Sequence, residues 1–228
     1  MQTQVKPLKS EVFYPSEDGE PLAETQEHVM VILVTMSILT QYLRGQEAAV
    51  FANQFLYYIE GKPTARVAPD GMVVFNIPAR LRGNYKIWEE GEVPSIVFEM
   101  TSAGTRENDF SFKKILYEQL GVKEYWLFDP YGEWISEQLR GYRLNEEENY
   151  RLIPDNRSEV LNLLLRPDGY LIGFYRLDNN EKLLTPDELF TAVEQAEQNL
   201  IAEKQRTEQE RQRADRLAEK LRNLGIDP

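Results

Sequence analysis

The sequence contains no cysteine, which removes disulfides, thiolate metal sites and cysteine nucleophiles together. It has no long hydrophobic run either. The longest, Val29 to Leu39, falls well short of the ~20 residues a membrane-spanning helix needs. Glu11, Glu17, Asp18, Glu20, Glu24 and Glu27 precede it, where a secretion signal carries positive charge. A soluble cytoplasmic protein with no membrane contact is therefore expected. Positive charge is scarce as well: 26 Lys and Arg stand against 38 Asp and Glu, for a net charge of −12. Phosphate binding is driven largely by Lys and Arg, so the charge argues against a general electrostatic grip on nucleic acid, though an acidic nuclease can still present a local basic face.

What is present suffices for a packed core. Of 228 residues 42% are hydrophobic, among them 10 Phe, 12 Tyr and 3 Trp, enough for one sizeable domain or a domain with an appendage. Residues 1–12 lack periodicity and read as a loose arm. Glu24 to Leu43 reads as a first helix, with Val29, Leu33, Met36 and Leu39 at helical spacing and Gly45 as its stop. Val50 to Ile59 is rich in β-formers, and Glu60-Gly61-Lys62-Pro63 closes it as a turn. Arg66 to Phe75 is a second strand interrupted by Pro69-Asp70-Gly71, where proline marks an edge or a bend. Ser95 to Met100 is a short buried strand. Asn108 or Asp109 caps a helix running to Leu120, its apolar face formed by Phe112, Ile115, Leu116 and Leu120, with Gly121 as its stop.

Tyr125 to Phe128 follows as a strand, so the order predicts an α/β (α+β) mixed sheet packed with helices. Further strands are expected at Gly141–Leu144, Tyr150–Ile153 and Leu161–Leu165, then a hairpin turn at Arg166-Pro167-Asp168-Gly169 into Tyr170–Leu177. The sheet domain thus covers residues 13–185. From Pro186 onward (residues 186–228) the pattern changes to a helix. Val193, Leu200, Thr207, Ala214 and Leu221 recur at heptad spacing, with Ala196, Leu217 and Leu224 on the neighbouring seam. Glu203 and Glu210 interrupt that second seam, which leaves a solvated helical tail able to pair with another copy, or a plain surface helix.

Three charged residues stand where local structure calls for something else. Asp70 follows proline in an apolar strand, and Glu99 ends the run Ile96-Val97-Phe98. A carboxylate is costly to bury unless paired or bound to a metal. Two on adjacent strands make a hard oxygen site suited to Mg²⁺ or Mn²⁺. Lys113, on the next helix, can reach back to stabilise charge on a phosphate or position a water. Each has a plainer reading: turn chemistry for Asp70, a solvated strand end for Glu99, a surface lysine for Lys113. Agreement of order and element type is what makes the set specific, and the chemistry it fits is phosphodiester hydrolysis.

Val67-Ala68-Pro69-Asp70, Ile96-Val97-Phe98-Glu99-Met100-Thr101-Ser102, Asp109-Phe110-Ser111-Phe112-Lys113 with Tyr117, and Gly121 through Pro130 together resemble the Uma-two family. These are putative restriction endonucleases of the PD-(D/E)XK nuclease superfamily, many from cyanobacteria. The likeness spans Phe13 to Leu189. It implies a restriction-endonuclease-like sheet flanked by helices, with Asp70 and Glu99 as metal ligands. Thr101 stands where the superfamily places lysine, and Lys113 occupies the position to which that lysine moves in Uma-two-like proteins. Glu20 or Glu24, before the first helix, matches the extra acidic ligand often supplied there, or simply complements the helix dipole.

Auxiliary candidates are His28, the single histidine, and Gln54, which lies inside an apolar strand and is expected to point toward the same site. Arg80, Arg82 and Lys86 form a stretch without intervening acids, joined by Tyr85 and Trp88, that could grip a phosphate backbone and stack on a base, or be a loop that happens to be basic. The expectation is thus a Mg²⁺- or Mn²⁺-dependent endonuclease acting on DNA. A homodimer could form through the sheet domain or the C-terminal helix. The alternatives are a catalytically silent nuclease-fold module used for binding or assembly, and an enzyme acting on RNA or another phosphodiester.

Overall fold

The computed structural model describes residues 12–17, 19 and 25–223, apart from the side chain of residue 221. It divides into two compact units between Leu183 and Leu184. Glu20 and Glu24 lie outside the described residues, as does most of the N-terminal arm.

In the first unit, α1 (Gln26–Tyr42) is capped by Thr25, whose hydroxyl accepts the His28 N–H. Its buried side is Val31, Ile32, Thr35, Met36, Ile38 and Leu39, whereas Val29 and Leu33, expected to face the core, are exposed. The run is apolar at almost every position, so spacing alone leaves its inward face undetermined.

A mixed six-stranded sheet forms the centre. Its order is β1 (Ala48–Ala52), β4 (Gly71–Phe75), β6 (Ile96–Met100), β7 (Glu124–Phe128), β8 (Leu139–Leu144) and β9 (Tyr150–Ile153), with only β6 and β7 parallel. The expected strand Val50–Ile59 is broken at Asn53, which adopts φ 47°, and continues as β2 (Leu56–Tyr57) in a separate small sheet with β3 (Arg66–Val67) and β5 (Tyr85–Lys86). A third sheet contains β10 (Arg157–Ser158), β11 (Leu163–Asp168) and β12 (Leu171–Arg176). Here the expected turn at Arg166–Gly169 moves. β11 stays extended through Pro167, and the chain reverses at Gly169 and Tyr170, between Asp168 and Leu171. β10 pairs only as far as Leu164, so Pro167 lies on a locally open edge where its missing N–H costs nothing.

The two faces of the central sheet carry separate apolar clusters. On one, Ile96, Phe98, Trp126 and Phe128 pack against α1 and against Leu163, Leu165 and Phe174 of the third sheet. Gly141 leaves room for the Trp126 ring, and Gly71 for the Met36 thioether; a Cβ at either would collide. On the other face, Val97, Tyr125 and Leu127 meet Tyr117 and Val122. Period-2 alternation therefore puts Glu99 on this second face, with Val97.

Glu124, at the start of β7, is fully buried. It accepts hydrogen bonds from Trp126 Nε1 (3.1 Å), Arg143 Nε (3.0 Å) and the Glu159 N–H (2.8 Å). The second unit is α5 (Pro186–Asn223). Thr185 and Glu188 cap it reciprocally, each side chain accepting the other's backbone N–H. Along its length Val193, Leu200, Ile201 and Leu217 are exposed. No helix among the described residues is long and apolar enough to cross a membrane.

Candidate active site

The antiparallel register of β4 on β6 pairs Gly71 with Phe98, so the residue before β4, Asp70, falls opposite Glu99. Asp70 Oδ2 accepts the Met100 N–H at 2.6 Å, and His28 Nε2 stands 3.7 Å from the same oxygen. Glu99 has no solvent exposure. Its Oε1 accepts from the Tyr117 hydroxyl and its Oε2 from Lys113 Nζ, both at 2.8 Å.

Lys113 reaches this position from an irregular helix. The chain turns helical at α3 (Arg106–Asn108), widens into a π-helical turn over Asp109–Lys113, and resumes as α4 (Lys114–Leu120). Neither Asn108 nor Asp109 is its cap, because the helix begins earlier. Phe112 and Ile115, expected on the apolar face, are 50% and 54% exposed. Asp109, Lys113 and Tyr117 turn inward instead, at steps of four along one side. π-turns of this kind gather at functional sites because they re-aim side chains.

Asp109 is 1% exposed, and its Oδ1 lies 2.9 Å from Lys113 Nζ in an off-line ion pair; Oδ2 meets no hydrogen-bond donor. Sequence reasoning takes Asp109 for a cap and for part of the resemblance, and Tyr117 for part of the resemblance, and gives neither a role in the site. The signal that could have found them is this polar stripe, at a spacing where buried apolar residues are the default.

The electrostatics are unbalanced. Glu99 and Asp109 both contact one ammonium group, Lys113, and Asp70 stands opposite Glu99. Burial, against the pull of Lys113 and with the help of Asp70 and Asp109, pushes the Glu99 carboxyl up to about 8. Burial opposes the charge on Lys113, but Glu99 and Asp109 outweigh it and raise its pKa. Burial and then Glu99 hold the Tyr117 phenol protonated. Three carboxyl groups beside a single ammonium suit a cation, which would displace the proton that burial favours on Glu99. Among the described residues no three acidic or histidine side chains converge as a ready-made cage. That is compatible with Mg²⁺, which commonly binds through one or two carboxylates and completes its shell with water and substrate oxygens.

Thr101 is buried beside Glu99, with its N–H on the Phe128 carbonyl (2.7 Å) and its hydroxyl without a hydrogen-bond partner. Gln54 lies in the β1–β2 connection rather than in a strand. Its Nε2 donates to the Arg82 carbonyl at 2.5 Å, which directs it to that loop instead of the carboxylates.

The expected phosphate grip does not form as drawn. The Arg82 side chain is 2% exposed, with its guanidinium bonded to both Glu90 oxygens and to the Pro78 and Arg80 carbonyls. Arg80 also pairs with Glu90, and Lys86 with Glu89, both at 2.9 Å. Hydrogen bonding to Arg82 holds Glu90 below the usual carboxylate range. Tyr85 is buried, its hydroxyl on the Glu92 carbonyl, and Trp88 packs on Tyr14. The acids that cancel these cations come from α2 (Ile87–Glu90), just downstream of the basic stretch.

Past the end of β7, the buried Asp129 carboxylate gathers four backbone N–H groups, those of Tyr131 and Gly132 on Oδ1 and of Trp134 and Ile135 on Oδ2. The loop so fixed presents Trp134, over whose ring Arg106 lies at 4.1 Å. A cleft of about 550 Å³, lined in part by Ser95, Lys123, Glu124 and Arg143, opens at the other end of β6 and β7, away from the carboxylates.

Residues 9–170 match a family model described as "Uma2: Putative restriction endonuclease". Among solved structures, the crystal structure of a putative nuclease belonging to DUF820 from Anabaena variabilis ATCC 29413 is similar at 15% identity and a TM-score of 0.44. The match covers 63% of this chain and 77% of that one. No curated protein matches the chain.

Proposed function

Since the chain belongs to the Uma2 family of putative restriction endonucleases, we propose that Asp70, Glu99 and Lys113 form a nuclease centre that hydrolyses DNA phosphodiester bonds with Mg²⁺ or Mn²⁺. The observation that carries this reading is the burial of Glu99 between Lys113 and Tyr117, opposite Asp70. A cluster this costly to desolvate is retained for chemistry rather than stability.

Asp70 and Glu99 would hold the metal, joined by water, substrate oxygens or an acid from Glu20 or Glu24. When bound, it would polarise a non-bridging phosphate oxygen and lower the pKa of an attacking water. Lys113 neutralises charge building on the phosphate as the bond to the leaving oxygen breaks. Asp109 and Tyr117 act through others: Asp109 steadies the ammonium, and Tyr117 fixes the Glu99 carboxylate. His28, beside Asp70, orients the water or takes its proton.

The test is calorimetric titration of Mn²⁺ or Mg²⁺ into wild type, Asp70→Ala and Glu99→Gln, with plasmid nicking on the same samples. Binding and nicking in wild type, both lost in folded variants, support the assignment. Neither activity in wild type favours a silent binding or assembly module instead. RNA and DNA substrates run in parallel separate the two phosphodiester readings.

A further inference from the structure

The reading of this centre as a nuclease leaves open what holds the substrate, because Arg80, Arg82 and Lys86 are matched by Glu89 and Glu90. We propose that Arg106 and Trp134 form a nucleobase-stacking ledge, which makes the substrate of this site a nucleic-acid segment with an unpaired base. The inference rests on the nuclease reading for its setting and on separate residues for its content.

Placement is the first argument. β6 and β7 are the parallel pair of the sheet, and Thr101 and Asp129 are the first residues beyond them. Arg106 follows Thr101 through a short turn held by the Ser102 carbonyl, three residues before Asp109. Trp134 is tied to Asp129 by its own N–H at 2.6 Å. Ligands of open α/β sheets collect beyond the carboxyl ends of parallel strands, and both ledge residues stand there.

The second argument is chemical. Trp134 and Arg106 are both half-buried, so each plane is held yet partly open. The Arg106 guanidinium carbon lies 4.1 Å from the Trp134 ring centroid, which joins cation and ring in one contact. Among the described residues Arg106 has no ion-pair partner, unlike Arg80, Arg82 and Arg143. Arginine and tryptophan planes held together suit the π-face of a base, whatever its identity, and a single unmatched cation suits its adjoining phosphate. A stacked duplex offers no such face. The loop on which Trp134 sits is rigid by construction, since four N–H groups converge on one buried carboxylate, and little freedom is lost on binding.

The experiment uses the full chain in EDTA, so that binding is read without cleavage. A short labelled oligodeoxythymidine is titrated in while its anisotropy and the protein's tryptophan emission are followed. The expected results are binding with emission quenched, Trp134→Ala weakening it by about five- to hundredfold, and Trp134→Phe by far less. Arg106→Gln weakens it severalfold. With one phosphate neutralised, affinity falls only about threefold between roughly 50 and 200 mM salt. A duplex of matched length binds more weakly than the single strand, and oligouridine binding equal to or tighter than oligodeoxythymidine keeps the ledge while widening the sugar it accepts.

Equal affinity of wild type and a folded Trp134→Ala, tighter binding of duplex, or no binding of either oligomer overturns the ledge. Oligomer binding without cleavage after Mg²⁺ addition instead retires the nuclease reading alone. Cleavage that is indifferent to Trp134→Ala retires the ledge alone.

Discussion

Asp109 Oδ1 and Lys113 Nζ lie 2.9 Å apart across a single π-helical turn, and the same ammonium reaches Glu99 at 2.8 Å. One lysine is thus shared between a carboxylate on its own helix and one on the sheet. Removing the helical partner should leave Lys113 charged but loosely placed. Asp109→Asn is expected to lower kcat about 10- to 100-fold with little change in KM, and Asp109→Glu to recover part of it. Steady-state nicking kinetics decide; an unchanged kcat would reduce Asp109 to a structural residue.

Lys113→Met removes the ammonium in contact with Glu99 and should cost roughly 100- to 1000-fold in cleavage rate. Because burial already drives Glu99 toward the neutral form, the variant is expected to protonate there and remain folded. Circular dichroism alongside nicking would show this, and wholesale unfolding would contradict it.

The Glu99 shift fixes a sign for pH dependence. Its folded pKa, about 8, lies above the ordinary 4.5, so the folded protein holds a proton that the unfolded chain releases between those values. Metal-free stability is therefore greatest, as far as this group contributes, below about pH 4.5 and declines as pH rises toward 8. The difference in Tm between wild type and Glu99→Gln should change across that window. Parallel Tm curves would show that Glu99 titrates normally. Divalent cation binding should release a proton in the same window, visible as buffer-dependent calorimetric heats.

Glu124→Ala leaves Arg143 and the indole of Trp126 without their shared acceptor. Arg143 keeps Glu159 at 2.7 Å, so the cost is that of the donors left unsatisfied, about 1–3 kcal/mol. A marked drop in denaturation midpoint is expected, with unchanged cleavage per folded molecule, because the residue lies at the far end of β7 from Thr101 and Asp129. A selective loss of activity would place Glu124 in the chemistry.

The mixed sheet, the early and late helices and the Asp70–Glu99 pairing were legible, because β-rich runs broken by glycine and proline mark strands well. The inward face of α1 was not, since an unbroken apolar run has no unique stripe, and Val29 and Leu33 ended outside. The π-turn was hidden for a related reason: a 3.6-residue template places Phe112 and Ile115 inward, and only the need to neutralise Glu99 favours Lys113 and Tyr117 there. Arg80, Arg82 and Lys86 looked free because Glu89 and Glu90 come later in sequence and return to them only through the short helix.

Glu124 at the head of β7 and Asp129 just past its tail are each bonded to several fixed donors. Together they act as two pegs through one rail. A one-residue slip of β7 along β6 would pull both out of their sockets and turn every side chain of the strand to the wrong face. Alignment errors during folding are thereby penalised at both ends of the strand beside Glu99. The Glu99 carboxylate is thus held in place by two others that it never touches.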